Sequence, residues 1–333
     1  MSQPTWLLTG GAGYIGSHTV RAFQAAGIPV VVLDDLSTGF RAFVPDDVPF
    51  VHGSITEPAD VRQALDLGVT GIVHLGGFKY AGVSVDQPLH CYHQNVTGMQ
   101  VLLEATLERG IDRFVFSSSS SVYGTPDVEV VGEDAETSRP ESPYGESKLI
   151  SEWLLRNVGT TRPAFRHTSL RYFNVVGSGP PELADHSPHN LFPRILKALT
   201  SGERPTVFGT DYPTRDGTCI RDYVHVVDLA DAHVMAAARL DAGEPCQTAY
   251  NIGRGEGTSV LEIMDAMRAA TGIAFEPELL PRRPGDPTRI IGSTARLEQD
   301  FGWRATRDVQ EMASSAWAAW QHQLATHGGP PGA

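Results

Sequence analysis

Residues 6–34 read WLLTGGAGYIGSHTVRAFQAAGIPVVVLD, and the fold follows from how this stretch must be laid out. The apolar run Trp6-Leu7-Leu8, with its flanks Thr5–Thr9, is a short strand. Gly10, Gly11, Gly13 and Gly16 interrupt it, and the pattern over Ile15–Ala26 is helical. Val30–Asp34, apolar and β-branched, is a second strand. A strand, a glycine turn and a helix N-terminus in that order form an anion cradle. Gly13 lets the backbone approach a pyrophosphate, and the free amides of the first helical turn face it. Asp34 closes the second strand 18 residues after Gly16, where a carboxylate bonds ribose hydroxyls and repels a 2′-phosphate; Asp35 adds to that repulsion. The pattern predicts NAD, not NADP.

Outward from this unit, short strands at Phe50–His52, Gly71–Leu75, Arg113–Ser117 and Thr168–Phe173 alternate with helical patterns near Glu57–Asp66, His90–Arg109 and Tyr144–Asn157. Repeated βαβ units predict an α/β fold, a doubly wound parallel sheet of Rossmann type, buried on both faces. After Asn174 the texture changes, with Pro180, Pro181, Pro188, Pro193, Pro205 and Pro213 punctuating a loop-rich region before a strand at Tyr223–Val227, where Asp228 offers an N-cap. Ser259 and Glu262 read as a capping box opening a helix whose apolar face is Val260, Ile263, Met264 and Met267, with Gly272 to end it. A last helix over about Asp308–Ala325 carries Met312, Ala316, Trp317, Trp320 and Leu324 at helical spacing, with the tryptophans expected in the core, and Gly328–Gly332 reads as a frayed tail. The domain reading is 1–176 for the NAD-binding part, with a return segment near 221–240, and 177–333 mainly for a smaller α/β substrate lobe. Two long stretches without periodicity, Gly124–Pro143 and Gly177–His189, are expected beside the site.

The composition narrows the function. The 333 residues are 41% hydrophobic and 20% charged, with 26 basic against 39 acidic side chains and a net charge of −13. Such a field repels phosphate backbones and anionic lipid, which argues against nucleic-acid or membrane partners. Three scattered cysteines, Cys91, Cys219 and Cys246, and no signal-peptide pattern before Trp6 predict a reducing cytoplasm. Cys91 lies between His90 and His93, but this pair and His186/His189 lack acidic or further sulfur partners at ligand spacing, so no metal site is expected.

Tyr144 and Lys148 stand four residues apart, hence on one helical face, where the ammonium is expected to favour the phenolate and make Tyr144 a general base. With 9 Tyr and 3 Lys in the chain, chance supplies such a pair in less than about one chain in ten. Upstream, Ser117 to Ser121 place hydroxyls at the carboxyl end of a predicted parallel strand, where open α/β sheets bind ligands.

At this point the sequence resembles the extended short-chain dehydrogenase/reductase superfamily and, over nearly its whole length, the UDP-galactose (UDP-glucose) 4-epimerases within it. The strings that carry the resemblance include GGAGYIGSHT at 10–19, LDDLSTG at 33–39, FKYAGVSV at 78–85, FSSSSSVYG at 116–124, SPYGESK at 142–148, LRYFN at 170–174, VFGTDYPTRDGTCIRDYVHVVDLA at 207–230, YNIGRGEGTSVLE at 250–262 and RRPGD at 282–286. The resemblance implies an isomerase in which Ser119 bonds the sugar 4-hydroxyl, Tyr144 takes its proton and Lys148 holds the nicotinamide ribose. Hydride passes from C4 to NAD, and a 4-keto sugar turns before hydride returns to its other face. The implied cofactor residues are Gly10, Gly13, Tyr14, Ile15, Gly16, Asp34, Asp35, Ser37, Thr38, Gly39, Ser54, Ile55, Leu75, Gly76, Gly77, Lys79, Gln94 and Phe173, with Tyr144 and Lys148. The implied substrate residues are Lys79, Ser119, Tyr144, Asn174, Asn190, Leu191, Thr206, Val207, Phe208 against uracil, Arg221 and Arg283 on the diphosphate, Asp286 and Ile290.

There are departures. Ser54 stands where the family commonly has an aspartate on adenine, Gln94 where it often has asparagine, and Val175 replaces a frequent proline. Ile290, intermediate in bulk, occupies the position associated with admitting or excluding N-acetyl sugars, which leaves UDP-N-acetylhexosamine open beside UDP-pentose and UDP-uronic acid. Ser120-Ser121 replace the Asp-Glu pair of the related 4,6-dehydratases and disfavour water elimination; a decarboxylase and a non-catalytic NAD-binding protein are the remaining alternatives. The resemblance also implies a homodimer built on the helices near His90–Arg109 and Tyr144–Asn157.

Overall fold

The computed structural model describes residues 3–137, 140–283 and 285–327; the Gly328–Gly332 tail lies outside the described residues. β1 (Trp6–Thr9) turns into α1 (Tyr14–Ala25), and β2 (Val30–Asp34), β3 (Phe50–His52), α2 (Pro58–Leu65) and β4 (Gly71–His74) follow. Next come α3 (Ala81–Asp86), α4 (Pro88–Tyr92), α5 (Gly98–Glu108), β5 (Arg113–Ser119), α6 (Pro143–Thr161) and β6 (Arg166–Tyr172). The second half holds β7 (Asn174–Val176), α7 (Leu191–Thr200), β8 (Thr206–Phe208), β9 (Ile220–His225), α8 (Val226–Asp241) and β10 (Ala249–Ile252). It ends with β11 (Gly257–Ser259), α9 (Val260–Thr271), β12 (Glu278–Leu280), β13 (Arg289–Ile290), α10 (Ala295–Phe301) and α11 (Val309–His327).

Seven strands form one parallel sheet in the order β10-β6-β5-β4-β1-β2-β3. The two-residue period of its strands divides the core. Trp6, Leu8, Val32, Val73 and Val115 pack with Val20 and Phe23 of α1 and Leu229, Ala236 and Leu240 of α8. Leu7, Val31, Leu33, Ile72, Phe114 and Phe116 pack on the other side with Val61, Leu102 and Leu155 of α2, α5 and α6. At about 1.5–3 kcal/mol for each large side chain fully buried, these two layers dominate the stability of the sheet. α8, from the return segment, thus lies against α1. β10, inside the range read as substrate lobe, is the seventh strand of the large sheet.

The smaller lobe has its own core of Phe192, Ile195, Leu196, Ile263, Met264, Met267, Met312 and Trp320, with Trp317 half-buried against it. The Ser259/Glu262 capping box forms, and Gly272 ends α9 in the left-handed conformation at φ 69°.

Three local expectations change. The helix read over His90–Arg109 is interrupted by a π turn at His93–Thr97 between α4 and α5. There the Asn95 amide bonds both the N–H (2.7 Å) and the carbonyl (3.0 Å) of Phe78, holding the loop after β4. The cap of α8 is His225, whose Nδ1 accepts from the Val227 N–H at 3.1 Å. Asp228 instead bonds Thr306 (Oγ1 3.0 Å) and Arg307 (Nη1 2.5 Å), fastening the segment before α11. Of the two long loops, 177–189 lines the main cavity through Asp185, Ser187 and His189, whereas no described residue of 124–143 does. That loop packs at the β10 side, Val131 exchanging backbone bonds with Ile291 and Ser293 and Glu133 accepting from the Asn251 N–H.

Buried histidines tie these pieces together in neutral form. His18 donates from Nδ1 to the Tyr14 carbonyl (2.8 Å) and accepts the Gly179 N–H at Nε2 (2.9 Å). His233 donates to the Leu229 carbonyl (2.9 Å) and accepts from Ser117 (2.7 Å). Burial pulls His18, His225 and His233 each down to about 4, and His167 and His74 behave alike. Depressed folded values mean that the unfolded chain takes up protons first as pH falls from about 6.5 to 4, so stability is lost across that window. Asp222, pushed up to about 6 by burial, works oppositely between about pH 4 and 6 and offsets part of the loss. Thermal melts should show Tm falling from pH 7 to pH 5 with net proton uptake on unfolding; a flat Tm would contradict the neutral-histidine assignment.

Candidate active site

The cavity of about 710 Å³ lies at the carboxyl ends of the large sheet, where β1 and β4 part to run in opposite directions through the strand order. Gly10, at φ +70°, begins its floor. A Cβ there would stand 2.7 Å from Gly76, and one on Gly16 would stand 2.0 Å from the Gly10 carbonyl oxygen. Gly13 caps α1 without a side chain, and no acid occupies the first turn, so the amides there are free to meet an anion. Tyr14 and Ile15 line the same wall.

Asp34 accepts the Ala12 N–H (2.9 Å) and the Leu36 N–H (2.8 Å). Burial raises its pKa, and those two bonds oppose the rise. Leu36 is held at φ 58°, a cost localised at the loop that carries Asp35, Ser37, Thr38 and Gly39 along the cavity. Ile55, Leu75, Gly76, Gly77, Lys79, Gln94 and Phe173 also line it. A glycine floor that admits no Cβ, an uncapped helix and a carboxylate at the second strand end together fit a dinucleotide. Ser54 is the exception among the expected cofactor residues: its hydroxyl bonds Thr56 (2.8 Å), and only its neighbours Gly53 and Ile55 face the cavity.

Ser119 ends β5 opposite Tyr172 of β6. Tyr144 lies in the first turn of α6, set by Pro143 and by the Ser142 cap on the Gly145 N–H (3.2 Å), and its own N–H donates to Ser84 (3.1 Å). The Ser119 hydroxyl donates to Ser121 Oγ (3.1 Å) and opposes the effect of burial on the Tyr144 phenol. Lys148, one turn on, donates to the Ser117 carbonyl at 2.9 Å and sits 5.8 Å from the Tyr144 ring centre. All three side chains are buried and line the cavity. The expectation that Lys148 lowers the tyrosine is corrected here: burial pushes Tyr144 up to about 12 and Lys148 down to about 8. In each case desolvation of the charged form is the largest cause.

Asn174, Asn190 and Leu191 line the cavity too. Thr206, Val207, Phe208, Arg221, Arg283, Asp286 and Ile290 do not; they form a cluster beside it. The Arg283 guanidinium lies 3.7 Å over the Phe208 ring, and Arg221 pairs with Asp286 at 3.0 Å. β9 joins the two regions, because Arg221 shares a face with Tyr223, which lines the cavity. The Val207 side chain is buried in the small-lobe core, leaving its backbone alone for a ligand. Ile290 packs against the small apolar cluster of Val122, Tyr123, Val131, Leu149 and Phe173.

The cavity also contains residues absent from the sequence reading: Tyr80, Tyr172, Asp185, Ser187 and Tyr223. Asp185 accepts from the Asn190 amide (2.7 Å) and the Ser187 N–H (2.9 Å), and its charge opposes the burial effect on Lys79. The unusual length of its loop was the only signal.

Residues 6–253 match the model of the NAD dependent epimerase/dehydratase family. The chain belongs to that family. It is similar to UDP-glucose 4-epimerase of Azospirillum brasilense, 40% identical over all of this chain and 96% of the relative, and to that of Lacticaseibacillus casei, 40% identical over 94% and 96%. A solved UDP-glucose-4-epimerase from Stenotrophomonas maltophila with bound NAD and formylated UDP-arabinopyranose superposes with a TM-score of 0.91 at 34% identity, covering 97% of this chain and 99% of that one.

For a member of this family the glycine floor and Asp34 generate a direct test. Asp34→Asn should weaken NAD about tenfold or more and narrow the preference over NADP, since a charge-assisted bond contributes about 1.5–3 kcal/mol. Fluorescence titration with both dinucleotides checks it, and an unchanged NAD/NADP ratio would remove Asp34 from the ribose site.

Proposed function

We propose that the protein interconverts UDP-galactose and UDP-glucose by NAD-dependent epimerisation at C4, with no net redox change. The observation that carries the reading is that Ser119, Tyr144 and Lys148 share one cavity with the glycine floor and with Asn174 and Asn190. Bound NAD supplies the oxidation and re-reduction at C4, and its cationic ring favours the tyrosine anion. Tyr144 takes the proton of the 4-hydroxyl and later returns it, within a site whose burial keeps water from competing. Ser119 bonds both the phenol and the sugar oxygen, so it aligns the proton path. Lys148, tied to the Ser117 carbonyl, holds the nicotinamide ribose and stabilises the phenolate as it forms. The 4-keto sugar then turns about its phosphate linkage, so the region around Lys79 and Tyr80 must admit either face.

The nucleotide end is assigned to the second cluster, with Phe208 on uracil, the backbone at Thr206 and Val207 beside it, and Arg221 and Arg283 on the diphosphate. Asp286 orients Arg221 through its 3.0 Å ion pair. Ile290, packed against the cluster that contains Phe173, is assigned to the sugar side. The protein is read as a cytoplasmic homodimer: its three cysteines are unpaired, and Val85, Leu89 and Trp153 of α3, α4 and α6 are exposed large apolar side chains.

Purified protein given UDP-galactose with no added NAD should form UDP-glucose, followed by the anomeric proton signals. Tyr144→Phe should lose on the order of 100-fold or more of the rate while retaining NAD, the scale of a general base. Absence of conversion even with NAD supplied would overturn the substrate assignment. Light scattering should give twice the monomer mass, and Leu89→Asp should shift it toward the monomer; a wild-type monomer would refute the dimer.

A further inference from the structure

The arginines around Phe208 are not equivalent. Arg221 is already paired with Asp286 (3.0 Å) and Arg282 with Asp211 (2.7 Å). Arg283 and Arg194 have no carboxylate partner among the described residues, yet both lie at the same ring, with guanidinium carbons 3.7 Å and 5.9 Å from its centre. Each gains from the negative face of the ring, but they repel one another. Arg194 is accordingly held below the usual arginine range by burial and by Arg283. Two unpaired cations converging on one aromatic ring, in a chain of net charge −13, need an anion to complete them.

We propose that Arg194 is a third guanidinium of the nucleotide subsite, closing with Arg283 on the diphosphate of the bound nucleotide. The proposal rests on the UDP-sugar reading above. Arg194 stands in the first turn of α7, three residues after Leu191 and four after Asn190, which line the cavity. That turn has no side-chain cap and no acid, so its free amides add to the positive potential. With Arg221 partly neutralised by Asp286, Arg283 alone leaves a dianion undercompensated. Arg194 supplies the second full charge, and a guanidinium fork is suited to paired hydrogen bonds with phosphate oxygens. Both guanidiniums approach the Phe208 ring, the one assigned to the base, so base and phosphate recognition adjoin in one cluster.

Calorimetric titration with UDP and with uridine separates the possibilities. Arg194→Leu and Arg194→Gln should each weaken UDP about tenfold or more while uridine changes less than about twofold. Arg194→Lys should recover part of the loss, and the gap between wild type and Arg194→Leu should narrow in 0.5 M salt. Undiminished UDP binding in both variants, or equal losses for UDP and uridine, would overturn the assignment while leaving the UDP-sugar reading intact. Wild-type protein that binds no UDP would overturn that reading and this one with it.

Discussion

The structure depends on how closely two strand ends approach at the centre of the sheet. Beyond β1 the chain turns through Gly10 against Gly76, which follows β4, at a distance that leaves no room for a side chain on Gly10. Because β1 continues to one side of the sheet and β4 to the other, a crevice opens there. The same contact sets the first turn of α1 at the crevice edge, with uncapped amides facing in. A wider turn would displace α1, and with it His18 and Tyr14, which anchor the segment after β7 through Gly179 (2.9 Å) and Gly177 (2.6 Å).

The reacting groups are positioned by buried polar structure behind them. Ser118 donates to Glu152 (2.6 Å), Arg171 makes two bonds to the same carboxylate (2.9 and 2.6 Å), and Arg171 also reaches the Tyr123 hydroxyl (2.9 Å). This network links β5, α6 and β6 directly beneath Ser119 and Tyr144. A buried ion pair of this kind costs about as much to desolvate as it returns. Its effect is orientational: it sets α6 against β5, so that Tyr144 and Lys148 project toward Ser119. Burial then raises the phenol to about 12 and lowers the ammonium to about 8, so at neutral pH the phenol keeps its proton and Lys148 stays mostly charged.

The two halves of the chain are interleaved rather than joined end to end. β10 completes the large sheet, α8 covers α1, and β7 pairs with β9 to lead into the smaller lobe. Through β9 and α7 the lobe brings a cationic, aromatic surface to the mouth of the crevice. The cavity and that surface meet along the Arg221–Tyr223 face and at Asn190–Leu191.

Much of this was legible in the sequence because it is local. Strand-glycine-helix order, a carboxylate at the second strand end, a capping box and a tyrosine–lysine spacing depend on periodicities of two and 3.6 residues that a chain carries in itself. Six of the seven strands of the sheet, β1 to β6, and the α9 caps therefore stand close to where expected, and Gly10, Gly13 and Gly16 line the cavity. What tertiary structure decided depends on groups distant in sequence. Asn95 breaks a helix because Phe78 offers it two backbone partners, His225 takes the cap while Asp228 turns to Thr306 and Arg307, and Ser54 is diverted to Thr56. Asp185 enters the site through a loop whose course no periodicity encodes. Most of all, the sign of the Tyr144 shift was beyond reach from spacing: four residues establish proximity to Lys148, but burial is a property of the packed whole, and desolvation is the largest influence on the phenol.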